Sequence, residues 1–112
     1  MGANQTWAKV IGIVLLLIGI LGFVMDSPLL GIFEVNTLHS IVHLLTGAIF
    51  AWAGFSASAP AKKVNTWLGV IYLLVGVLGF FGVLGFLAVN AADNWLHTVI
   101  GVVSILIGWK AD

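Results

Sequence analysis

Asn36-Thr37-Leu38-His39-Ser40-Ile41-Val42-His43-Leu44-Leu45-Thr46-Gly47 is the stretch on which the reading of this chain turns. It places two of the three histidines at i and i+4 in the opening turns of an apolar segment. A partial copy runs Asn94-Trp95-Leu96-His97-Thr98-Val99-Ile100-Gly101-Val102-Val103-Ser104. At one constant offset, Asn36, Leu38, His39 and Thr46 map onto Asn94, Leu96, His97 and Ser104. The two segments read as equivalent helix starts in a duplicated unit, with Asn as N-cap.

Working outward, the chain is 62% hydrophobic before its 14 glycines are added, and 7% charged. Soluble domains hold about 45–50% apolar residues with glycine included, and about 25% charged. A short chain buries only about 60–70% of the surface it exposes unfolded, so much of this apolar surface must face lipid. Cysteine is absent, which excludes disulfides and thiolate metal sites. Formal net charge is zero and the lysines are scattered, so the sequence offers no footprint for nucleic acid.

Four spans follow, at about 7–25, 37–55, 67–89 and 95–109. The first carries no small-x-small site near Met25, so it reads as a helix and not a cleaved signal peptide. Asn4, Asn36, Asn65 and Asn94 each precede a span as a candidate N-cap. Ser56-Ala57-Ser58-Ala59-Pro60-Ala61-Lys62-Lys63 separates two repeat halves, about 7–55 and 66–109. Gly12, Gly19, Gly22 and Phe23 recur as Gly69, Gly76, Gly79 and Phe80, and Gly31–Asn36 is echoed by Gly85–Asn90. Each half holds two spans and enters from the same side, which makes a parallel repeat. Lys9, Lys62, Lys63 and Lys110 then share one side, and Asp26, Glu34 and Asp93 the other. The positive-inside rule predicts cytoplasmic termini and central loop. Trp7, Trp52, Trp67 and Trp109 read as a lipid-interface belt near that face, with Trp95 opposite.

Each span carries two glycines one heptad apart: Gly12 and Gly19, Gly47 and Gly54, Gly69 and Gly76, Gly101 and Gly108. That interval returns to nearly the same helix face and lets backbones approach. The expected fold is an all-α integral membrane four-helix bundle, left-handed, built from two parallel two-helix repeats.

At 100° per residue, His39, His43, Thr46, Gly47, Phe50 and Gly54 share one stripe, matched on the last span by Asn94, His97, Gly101, Ser104 and Gly108. Polar groups avoid lipid, so both stripes should face inward. Three readings compete for the histidines. In a structural one, His39 and His97 occupy N3 and bond back towards their caps, while His43 pairs with Thr46, Ser104 or a backbone carbonyl. In a ligand one, His39, His43 and His97, with Glu34 or Asp93 nearby, hold Zn²⁺ or a similar metal, or two of them hold haem. In the third they mark a proton or ion path, which the lack of acidic or basic residues at mid-span argues against. No serine–histidine–acid set, paired catalytic carboxylates or phosphate-cradling loop is present, so no enzyme is expected.

The pattern Asn36-x-Leu38-His39-x-x-x-His43-Leu44-Leu45-x-Gly47, followed by Asp93-Asn94-x-Leu96-His97, resembles the bacterial four-span membrane family known as domain of unknown function 4383. Gly19-Ile20-Leu21-Gly22-Phe23 and its copy Gly76-Val77-Leu78-Gly79-Phe80 resemble it too. The resemblance covers nearly the whole chain and implies four spans in a bacterial inner membrane. It carries no activity and assigns no residue a role. The function expected from the sequence is an accessory or scaffold protein acting through helix–helix contacts. Its partners would be the lipid bilayer and either further copies of itself or a larger membrane complex. The alternative is a histidine-based metal or haem protein.

Overall fold

Capping decides where the helices of this chain begin. In the computed structural model, which describes residues 2–111, there are four helices and no strand. They are α1 (Ala3–Val24), α2 (Thr37–Phe55), α3 (Ala61–Phe80) and α4 (Ala91–Lys110), with a 3₁₀ turn at Gly85–Leu87 before the last. Asn36 caps α2, its side-chain oxygen accepting from the His39 backbone N–H at 2.8 Å. Asn90, and not Asn94, caps α4. It accepts from the Asp93 N–H at 2.9 Å, while Asp93 Oδ2 accepts from the Asn90 N–H at 3.0 Å. This capping box starts α4 one turn earlier than the histidine copy suggests, and leaves Asn94 inside the helix.

Asn4 and Asn65 also lie inside their helices, because α1 opens at Ala3 and α3 at Ala61. Their amides cross-link the bundle instead. Asn65 Nδ2 donates to the Asn4 backbone and side-chain oxygens, each at 2.9 Å, and Asn4 Nδ2 donates to the Ala111 carbonyl at 3.0 Å. The third helix stops at Phe80, well before Val89. Gly82 adopts φ +76°, and its N–H donates to Gly79 O at 3.1 Å, closing the helix as a left-handed C-terminal glycine does. Residues 81–90 are therefore connector and not span.

Each helix is long and apolar enough to cross a membrane. The longest dimension of the bundle, 37 Å, suits a hydrocarbon core of about 30 Å with its interfaces. The helices pack as two hairpins, α1 on α2 and α3 on α4. Glycine sets how closely. A Cβ on Gly69 would stand 2.9 Å from Ile105 N and 3.0 Å from Gly101 O, and one on Gly47 would stand 2.8 Å from Leu16 N. Gly12 faces the Ala51 backbone, Gly54 the Lys9 backbone, Gly108 Thr66, Gly19 Leu44 and Gly76 Thr98. Backbone thus meets backbone along both hairpins, as small residues permit where lipid supplies no hydrophobic drive between helices. The interior is completed by Ala8, Ile11, Leu15, Phe50, Ala53, Leu68, Tyr72 and Ile100.

These contacts fix the structural register of the repeat. Gly47 in the first hairpin plays the part of Gly101 in the second, and Gly54 that of Gly108. Asn36 then corresponds to Asn90, His39 to Asp93 and His43 to His97. The sequence alignment of His39 with His97, and of His43 with Gly101, is displaced by one helical turn. Ser40 and Asn94 are equivalent in this register, and each lays its side chain over a glycine of the preceding helix, Gly22 or Gly79.

The same symmetry interlocks the two halves at the end away from the lysines. Asn36 Nδ2 donates to Phe86 O and Asn90 Nδ2 to Ile32 O, both at 2.8 Å. The Leu87 carbonyl accepts from His39 Nδ1 at 3.0 Å, and the Asp93 carboxylate accepts from the Glu34 backbone N–H. Each connector is held by the first turn of the other half's second helix.

Candidate metal centre

The capped starts of α2 and α4 point three imidazoles into one place. His39 and His43, one turn apart on α2, have ring centroids 4.4 Å apart. His97 reaches across from α4, 5.3 Å from His39 and 5.8 Å from His43. All three are 2% exposed. One ring nitrogen from each lies within 4.8 Å of the others, and this is the metal-capable group found among the described residues.

Donor counting shows how the rings are poised. The Leu87 carbonyl can only accept, so a neutral His39 carries its proton on Nδ1 and turns the Nε2 lone pair towards His97. His39 Nε2 and His97 Nε2 stand 3.4 Å apart. That is long for a hydrogen bond between ring nitrogens. It is close to the separation of about 3.3 Å between two nitrogens bound to one tetrahedral zinc at about 2.0–2.1 Å. Neither nitrogen of His43 has a hydrogen-bond partner, and His97 Nδ1 has none. Burying such a group unpaired costs about 1–3 kcal/mol, and Ser40 Oγ, Asn65 Oδ1 and Asn94 Oδ1 are buried without a partner as well. Rotation of the His43 ring would break no hydrogen bond. The Leu87 contact is the outer partner that commonly orients a ligating histidine.

A cavity of about 40 Å³ adjoins the rings, lined also by Val42, Thr46, Ile71, Tyr72, Val75 and Leu87. Its wall is apolar and it has no room for a porphyrin, so the haem version of the ligand reading is not supported. Thr46 Oγ1 donates to Val42 O at 2.8 Å, so the Tyr72 hydroxyl, 2.6 Å away, donates to Thr46. The phenolic oxygen keeps its acceptor capacity.

The remaining expected site residues lie elsewhere. Asp93 is buried, but its carboxylate serves the α4 cap and the Glu34 N–H. Glu34 is exposed on the first connector. Neither carboxylate joins the three rings. His97 is not at N3, and the His39 ring bonds to Leu87 and not to its own cap, so the capping reading of the histidines fails for both. The polar stripe is also interrupted. Phe50, Leu15, Leu68 and Ile100, all buried, fill the next turns before Ser104 is reached. Trp7 is half-buried and donates its indole N–H to Ser104 Oγ at 2.8 Å, which sets it apart from the exposed Trp52, Trp67, Trp95 and Trp109. Thr46, expected from the sequence as a partner of His43, bonds instead to Val42 O and to Tyr72, and Tyr72 itself is not among the expected site residues. A lone tyrosine in mid-span, whose hydroxyl needs a partner, was the available signal.

Fold and site together define a helical bundle of membrane-spanning type with a histidine cluster buried near one end. The chain belongs to the family described as Domain of unknown function (DUF4383), whose model matches residues 5–110. Comparison with curated proteins and with solved structures finds no match.

Proposed function

We propose that this chain is a metal-binding membrane protein that holds one divalent transition-metal ion of the zinc type between His39, His43 and His97. One observation carries the reading: three buried imidazoles from both halves converge, with both ring nitrogens of His43 left without a partner. Imidazole suits Zn²⁺, Cu²⁺, Ni²⁺ and Co²⁺, and a buried polar group in a span is by default a functional one. The test is cobalt titration of metal-stripped protein in mild detergent. The parent should bind one equivalent and develop the visible bands of a four-coordinate site, and His97→Ala should not. A parent that takes up no cobalt ends the proposal.

We further infer a bacterial inner-membrane location with both termini cytoplasmic. The support is charge: Lys9, Lys62, Lys63 and Lys110 gather at one end of the bundle, Asp26, Glu34 and Asp93 at the other. The chain has no cysteine, so single introduced thiols report cleanly. In intact cells a cysteine replacing Glu34 should react with an impermeant thiol reagent, and one replacing Lys63 should not. The opposite pattern would invert the orientation.

A further inference from the structure

We infer that the fourth coordination position of this centre opens to the bilayer. Its ligand is an uncharged, membrane-dissolved molecule with a small thiol or hydroxyl head on an apolar tail. The inference rests on the metal reading above. Three histidines leave a tetrahedral ion one position short, as in sites that bind an exchangeable ligand. The cavity of about 40 Å³ beside the rings is apolar-walled and has room for a few atoms, the size of such a head with the start of its tail.

Its surroundings decide from which side the head arrives. On the outer side Leu87 covers the rings and is pinned by His39. On the inner side Phe50 and Leu15 are fully buried. The α1–α2 and α3–α4 seams are closed by glycine contacts. What remains is the α2–α3 side, where Val42, Ile71 and Val75 line the cavity and Ile71 is 49% exposed. No charged side chain lines this route, so an ionic ligand would shed its hydration there without replacement. A neutral head would not.

The experiment compares two thiols on the cobalt-loaded protein in micelles: neutral 1-octanethiol and charged 2-mercaptoethanesulfonate. In either case sulfur forms a bond to cobalt, the coordinated water leaves, and the thiol proton passes to the buffer. Octanethiol should produce a near-ultraviolet sulfur-to-cobalt band, half-saturating at roughly one tenth of the total sulfonate concentration or less, because its chain partitions into the apolar phase. Ile71→Trp should weaken octanethiol binding by about tenfold or more while the visible cobalt spectrum persists, a local block on a route that needs an apolar pocket mouth. Leu17→Trp, on the lipid face of α1, should leave binding unchanged. Should Ile71→Trp fail to take up cobalt, Val75→Phe makes the same obstruction with a smaller ring. Equal potency of the two thiols would place the opening in water and overturn the inference. Cobalt bands that neither thiol alters would show that no position is open, with the metal reading intact. Absence of cobalt uptake by the parent would remove both.

Discussion

Gly101→Leu is expected to destabilise the bundle by about 3 kcal/mol, at the upper end of what overpacking of a close-packed interior costs. A Cβ at this position would stand 2.7 Å from Leu73 Cα and 2.8 Å from Gly69 O. Both are backbone atoms of α3 and cannot rotate aside, so α4 must move as a body. That movement also strips Gly69 and Gly108 of their contacts, since all three lie on the same seam. Gly85→Ala is the matched control. Nothing lies within 4 Å of a Cβ there, and the change should stay within about 0.5 kcal/mol. Thermal unfolding in detergent, followed by circular dichroism, measures both. If Gly101→Leu melted with the parent, close backbone approach would not be what holds α3 to α4.

The second large effect is a change of sign at His43. In metal-free protein His43→Leu should raise stability by about 1–2 kcal/mol, because it removes two buried ring nitrogens that have no partner. With metal at about a thousand times its dissociation constant, the parent gains about 4 kcal/mol, and a variant lacking one of three ligands forfeits most of that. The same substitution then destabilises. Removing His97 as well should add little in metal, since residues that act on one ion are not additive. Unfolding midpoints with chelator and with excess Zn²⁺ give both signs. A histidine kept only for packing would lose stability equally in the two conditions, and that result would sink the metal reading.

The number and order of the helices were legible from composition and linker chemistry, and the glycine heptads pointed to the faces now found in contact. The register of the repeat was misread. Asn94-Trp95-Leu96-His97 matches Asn36-Thr37-Leu38-His39 in residue type, but Asn90 and Asp93 make a better cap, and helix α4 begins with them. Caps and backbone contacts set depth in the bundle, whereas a matched pair of letters does not. The spacing from Gly47 and Gly54 to Gly101 and Gly108 already held the correct offset. Convergence of the three histidines was within reach of the stripe argument. The part of Leu87 was not, because a main-chain carbonyl in an irregular connector leaves no mark in residue type. Tyr72 was overlooked for a related reason: its surroundings are apolar, and its partner Thr46 lies on another helix.

The pairing of His39 with Asp93 across the pseudo-two-fold axis bears on how many hairpins a working centre of this kind needs. Two separate, identical hairpins meeting as a symmetric dimer must present the same side chain at both equivalent positions. With histidine there, four imidazoles would converge. With aspartate, two imidazoles and two carboxylates would meet. An odd number of rings, with one connector held through its carbonyl and the other through its N–H, needs two copies that differ, and a chain in which they are joined and have diverged supplies them. Fusion of the two copies thus lets one keep an imidazole at this position while the other keeps a cap.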